Sequence, residues 1–210
     1  MKETQMEKFK KGLKYLLIDS TSILTPTSPI LAAMEVGIAG MSDSVSLGSR
    51  LSFAGLSYIG LGPAYAKGRD FSRSRFKINN QTKESIQTLH DSAYTIIFNL
   101  LLTPPVYLAM GADVRQSAIG GLAAAGMGVF LGPVMGYSVD VGRDLTGLKK
   151  CERSSYPESI RKQSSSVKLG LAGVLVAGAI SAMAGIYSLT PNKSNSENPQ
   201  TQTIETVVSH

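Results

Sequence analysis

The chain has 210 residues, a formal net charge of +6 and a mean hydropathy of only +0.07. Its one cysteine, Cys151, excludes an intramolecular disulfide and any multi-cysteine metal site, and its two histidines, His90 and His210, stand in no metal-ligand spacing. No nucleophile–base pair, metal set or cofactor loop is visible, so an enzyme is not expected and no cofactor is called for.

The near-neutral hydropathy hides a strongly uneven distribution. Apolar residues fall in five blocks, separated by segments dense in Lys, Arg, Ser, Asn and Gln. Each block approaches the roughly 20 helical residues that a bilayer core requires. Residues 1–14 form a basic N-terminal segment. The first predicted span covers Tyr15–Met41 and contains Pro26 and Pro29. The second covers Leu51–Ala66. The third covers Leu89–Gly111, with Pro104 and Pro105 inside it. The fourth covers Ser117–Val141 and is almost wholly small and apolar until Asp140. A basic linker, 148–168, precedes a fifth span, Leu169–Leu189, which carries no charge. The polar residues 190–210 form a tail. Glycine is abundant, at 21 residues, and suits helices that pack closely in lipid. Prolines are tolerated there because neighbouring helices and Ser/Thr hydroxyls can satisfy freed carbonyls.

Charge placement predicts an orientation. Residues 1–14 hold five Lys, residues 67–88 hold six Lys/Arg, and residues 142–168 hold seven, which is 18 of the 21 basic residues. Connections therefore alternate between strongly basic and nearly neutral, which places the N-terminus and basic loops on the cytoplasmic side and the tail outside. The basic charge follows the loops rather than one face, which argues against a nucleic-acid partner. Asp19 directly after the basic start, and a long broken apolar run, argue against a cleaved signal peptide.

The first two spans resemble the next two. Asp19-Ser20 recurs as Asp91-Ser92, Gly62-Pro63 as Gly132-Pro133, and Gly68-Arg69-Asp70 as Gly142-Arg143-Asp144. Both halves run in–out–in, so they are parallel repeats, an arrangement that places transporter solute sites at the repeat interface. The expected fold is an all-α integral membrane protein: a four-helix core of two parallel two-helix repeats, residues 15–147, plus a fifth C-terminal transmembrane helix.

An acid at membrane depth is costly and usually faces protein or water. Two clusters are expected. Asp19, Asp91 and Asp140 with Arg69 and Arg143 would lie near the inner face. Glu35 and Arg50, with Asp113, would lie near the outer one. Asp19, Glu35, Arg50, Asp91 and Asp140 are the candidate substrate- and ion-binding residues. Carboxylates there can pair with an ammonium or carry a proton. The plainer alternative makes them interfacial anchors and helix-end charges paired for folding alone. In the fourth span Gly128, Gly132 and Gly136 share one face at a spacing that permits close helix contact. They are the candidate oligomerisation surface, or the packing face for a neighbouring span of the same chain.

The residues from Asp19 to Leu145 resemble the bacterial L-alanine exporter family. The likeness runs through Asp19, Glu35, Gly40-Met41-Ser42, Ser49-Arg50-Leu51, Pro63 and Arg69-Asp70-Phe71. It continues with Asp91, Pro105-Val106-Tyr107, Gly111-Ala112-Asp113 and Gln116, and closes with Gly132, Val134, Gly136-Tyr137, Asp140 and Arg143. The resemblance implies a four-helix core, inner-membrane export of L-alanine driven by an ion gradient, and self-association through the glycine face. The absence of a G-x-x-x-x-G-K-[ST] loop agrees with a transporter that does not use ATP. The fifth span, the tail and the Gly142-Arg143 pair before Asp144 depart from the family pattern. The expected function is export of L-alanine or a similar small amino acid, coupled to protons, with membrane lipid and further copies of the chain as partners. The alternative is a non-transporting membrane adaptor whose basic loops bind lipid or a partner.

Overall fold

A computed structural model describes residues 5–37, 43–79, 82–109 and 114–189. Among these residues the chain is all helical. The elements are α1 (Gln5–Gly37), α2 (Asp43–Leu56), a π-helical turn (Ser57–Leu61), α3 (Gly62–Arg75), α4 (Glu84–Ala109), α5 (Val114–Leu145), a short α6 (Glu158–Arg161) and α7 (Ser165–Leu189).

All five helical stretches, counting α2, the π-helical turn and α3 as one, are longer than the apolar blocks that mark them. Helix α1 starts ten residues before Tyr15, because a nucleated helix propagates through exposed lysines at little cost. It also runs through Pro26 and Pro29. Thr25 and Thr27 donate their hydroxyls to the carbonyls of Thr21 and Ile23, both at 2.7 Å, and so tie the turns around Pro26. Helices α2 and α3 form one path, kinked where Gly60 takes φ 153°, a conformation open to glycine alone. Pro63 follows in the first turn of α3, where its missing N–H is harmless.

The C-terminal end of α3 carries a strained residue. Lys77 has φ 56°, and the Ile78 amide closes back on the Arg73 carbonyl at 2.8 Å. The matching stop after α5 uses Gly147, φ 73°, with the Leu148 amide on the Arg143 carbonyl at 2.8 Å. A side chain in the left-handed region costs about 1–2 kcal/mol, partly offset by the extra freedom glycine has in the unfolded chain. Lys77→Gly is therefore expected to stabilise the protein by about 0.5–1 kcal/mol, read as a higher unfolding temperature in detergent.

Helices α4 and α5 form an antiparallel pair. As α5 advances from Gly121 through Gly128 to Gly132, its neighbours on α4 retreat from Pro104 through Ile96 to Ser92. Helix α1 packs against α5, α3 and α7. A small apolar centre of Ile23, Tyr65, Ala66 and Val139 sits between α1, α3 and α5, edged by Tyr94 and Phe98 of α4. The Tyr65 ring meets those of Tyr94 and Phe98 edge-on, with centroids 5.3 and 5.2 Å away.

Burial is inverted relative to a water-soluble bundle. Among the described residues other than glycine, fourteen polar or charged residues are buried, against ten apolar ones. Large apolar side chains face outward, including Ile59 at 83% exposure and Phe130 at 78%. No residue of α7 is buried. Two stretches, Gly121–Leu145 and Ser165–Leu189, are long and apolar enough to cross a membrane.

Candidate functional site

The buried polar residues converge at one end of the bundle, where α1, α3, α4 and α5 meet the linker that follows α5. Asp19 of α1 is fully buried and faces Arg143 of α5, which grips both carboxylate oxygens at 2.7 and 2.9 Å. The same guanidinium reaches Asp70 of α3 at 2.6 Å and lies over the Tyr15 ring. Asp70 continues the chain to Arg69 at 3.0 Å, and Arg69 to Asp140 at 2.5 Å. Arg69, itself fully buried, also donates to the Gly136 carbonyl.

Asp91 of α4 holds the second half. It is fully buried and takes two bonds from Arg73, at 3.0 and 2.6 Å, and one from Arg153 at 2.6 Å. Arg153 further bonds Asp140 at 2.7 Å and Glu84 at 3.0 Å. His90 lies beside Asp91, with Nε2 2.9 Å from the Ser72 hydroxyl. The network therefore links the carboxylates of Asp19, Asp70, Glu84, Asp91 and Asp140 with the guanidiniums of Arg69, Arg73, Arg143 and Arg153. Near-balance of charge is what makes such burial tolerable, because each ion replaces lost water with a partner.

Arg153 is placed by the linker around it. Asp144, at the end of α5, accepts bonds from the Cys151 amide at 3.2 Å, the Tyr156 hydroxyl at 2.8 Å and Lys168 Nζ at 2.7 Å. These bonds fold residues 146–156 back under the bundle, so that Arg153 points inward. Burial, aided by the Asp144 carboxylate, pushes the Tyr156 phenol well above its ordinary range, so it stays a donor. Burial likewise pushes the Cys151 thiol up, which keeps it inert.

The structure thus gathers Asp19, Asp91, Asp140, Arg69 and Arg143 in one place. It adds Arg73, Glu84 and Arg153, which the sequence did not single out, and Asp70, which the sequence marked only as part of the repeated Gly-Arg-Asp triplet. Arg73 and Arg153 lie among many loop cations, and no local pattern distinguishes them. The second expected cluster is described only in part. Arg50 is buried in α2 with its guanidinium over the Phe53 ring, 5.2 Å from the centroid. The Glu35 side chain, Asp113 and the tail lie outside the described residues.

The glycine face of α5 is occupied from within. A Cβ on Gly132 would lie 2.6 Å from the Asp91 carbonyl and the Ser92 Cα, and one on Gly136 would overlap the Asp91 carboxylate. Gly128 meets the Ile96 backbone in the same way. Of the two roles expected of this face, the described contacts show the second: Gly128, Gly132 and Gly136 seat α4 of their own chain.

Contacts recur at offsets of 70 to 74 residues. The Ser20 hydroxyl donates to the Ser57 carbonyl at 2.7 Å, and the Ser92 hydroxyl, 72 residues on, donates to the Val129 carbonyl at 2.9 Å, each across a separation of 37. Gly62 presses on Ser20 as Gly132 presses on Ser92. Gly68 meets Tyr94 as Gly142 meets Ser22. The ion pairs break this correspondence. Arg143 forks onto Asp19, whereas its counterpart Arg69 turns to Asp140 and leaves Asp91 to Arg73 and Arg153.

Two cavities flank this region. A polar one of about 430 Å³ opens beside the network, with Asp70, Arg73, Asp140, Arg143 and Arg153 in its wall. An apolar crevice of about 400 Å³ lies between α1, α5 and α7, lined by residues such as Leu17, Val141 and Leu175. Among the described residues, the class these features define is an all-helical protein with a charged interior, many large apolar side chains facing outward and two helices long and apolar enough to cross a membrane. No family model, curated protein or solved structure matches the chain.

Proposed function

We propose that the protein is a multi-pass membrane protein that exports L-alanine or a similar small amino acid, coupled to the proton gradient. The observation that carries this reading is the burial of Asp19 and Asp91, each held by guanidiniums, inside a helical body whose outer surface is apolar. Ionisable groups buried among apolar helices mark solute or proton paths far more often than they serve as decoration. In this reading the five helical stretches are the spans, the basic loops face the cytoplasm, and the tail lies outside. The contacts that recur 72 residues apart support two parallel two-helix repeats. The order of residues shared with the L-alanine exporter family supports the choice of solute.

The broken correspondence between Asp19 and Asp91 suggests the mechanism. Asp19 is sealed by an arginine built into a helix. Asp91 shares its charge with Arg153, which comes from the linker and can withdraw with it. The ammonium of an incoming amino acid would then take the place of Arg153 on Asp91, while Arg50 or a helix end would meet the carboxylate at the outer side. Protons would exchange at Asp19, Glu35 and Asp91 as the pairs open. The homo-oligomer expected of so small a transporter would form through surfaces other than the α5 glycines.

One observation favours the adaptor reading: every described carboxylate of the network is already paired, as in a static scaffold. The two readings separate in an efflux measurement. Cells loaded with an alanine-containing dipeptide are followed for alanine release, with and without the protein. Faster release that Glu35→Gln and Asp91→Asn both lose, at equal membrane abundance, is the expected result. Unchanged release from correctly inserted protein overturns alanine export.

A further inference from the structure

The outer rim of the polar cavity carries charge that the network does not use. Its lining includes six cations, Arg73, Lys77, Arg143, Lys149, Lys150 and Arg153, against the carboxylates of Asp70, Asp140 and Glu152. Asp70 and Asp140 are already taken by arginines. Lys77, Lys149 and Lys150 form no ion pair among the described residues, so three ammonium groups converge on one open space.

A second, independent feature points the same way. Lys77 occupies a left-handed backbone position, φ 56°, where the equivalent stop after α5 has Gly147. Glycine would relieve that strain, yet a lysine stands there. Strain of this kind gathers at ligand sites, where the side chain matters more than the backbone cost.

We propose that this rim binds a phosphate group, with Lys77, Lys149 and Lys150 as its contacts. A phosphate monoester carries close to two negative charges and three acceptor oxygens, which suits three converging ammonium groups. Its source is either the headgroup of an anionic lipid or a soluble phosphate. The site needs no transport step, so it stands or falls separately from alanine export.

The test uses the full chain in neutral detergent and a phosphatidic acid with one fluorescent acyl chain, read by anisotropy. Phosphatidylcholine of the same chains is the control. Binding of phosphatidic acid at least tenfold tighter is expected. Lys77→Gly should weaken it about fivefold while unfolding no lower than wild type, and Lys149→Gln with Lys150→Gln should weaken it on the order of thirtyfold. Displacement of the probe by inorganic phosphate supports the site and assigns it to soluble phosphates. Retained binding that inorganic phosphate does not displace supports it and assigns it to lipid. Equal binding of the two lipids, or undiminished binding by these variants, overturns the proposal.

Discussion

Asparagine in place of Asp91 is expected to destabilise the protein by about 3 kcal/mol, the low end of the roughly 3–5 kcal/mol range for breaking a buried ion pair. The carboxylate is fully buried and takes three charge-assisted bonds from Arg73 and Arg153. Removing its charge leaves two guanidiniums close together with one carboxylate fewer between them. The low end applies because Asp140 still partners both of them. Arg153→Gln is the informative companion. It leaves Asp91 gripped by Arg73, so its cost should be smaller, roughly 1–3 kcal/mol. Thermal unfolding of the two variants and the wild type in one detergent checks this order. Equal losses would mean that the linker arginine, rather than Arg73, carries Asp91, and would place the linker within the folded core.

Alanine at Gly132 is expected to cost about 1–3 kcal/mol, through overpacking at the α4–α5 seam. The added methyl would meet the Asp91 carbonyl and the Ser92 Cα at 2.6 Å. These are backbone atoms that no side-chain rotation can move, so the two helices must separate. Separation lengthens the bonds to Asp91. Gly126, six residues earlier on α5, has nothing within 4 Å of the equivalent methyl, and Gly126→Ala should leave stability unchanged or raise it by up to about 1 kcal/mol. Unfolding temperatures and oligomeric state, measured together, give two distinct outcomes. A stability loss at Gly132 alone matches intrachain packing. A change of oligomeric state at unchanged stability would restore the glycine face as a contact between copies.

Much of the helical layout was legible in the sequence, because apolar blocks and basic loops alternate over lengths that only helices fill. The charged interior was legible in part. Asp19, Asp91 and Asp140 stand out because an acid in an apolar run has no local partner, and Arg69 and Arg143 stand out because the same Gly-Arg-Asp triplet closes both hairpins. Helix ends were not legible: α1 extends ten residues before its apolar block and α3 nine beyond Ala66, since backbone hydrogen bonding continues into charged segments without any change in hydropathy.

The sequence by itself determined that the chain is helical, that its charges segregate into loops, and which acids sit where acids are expensive. Only the tertiary structure decided who pairs with whom. Arg153 is one of six cations in its linker, and it enters the core because Asp144 folds that linker back through Cys151, Tyr156 and Lys168. Gly132 and Gly136 could have served another copy, and they serve α4 because Asp91 needs the space a side chain would fill. A helix face or a loop charge is a local property, whereas its partner is set by the arrangement of four helices at once.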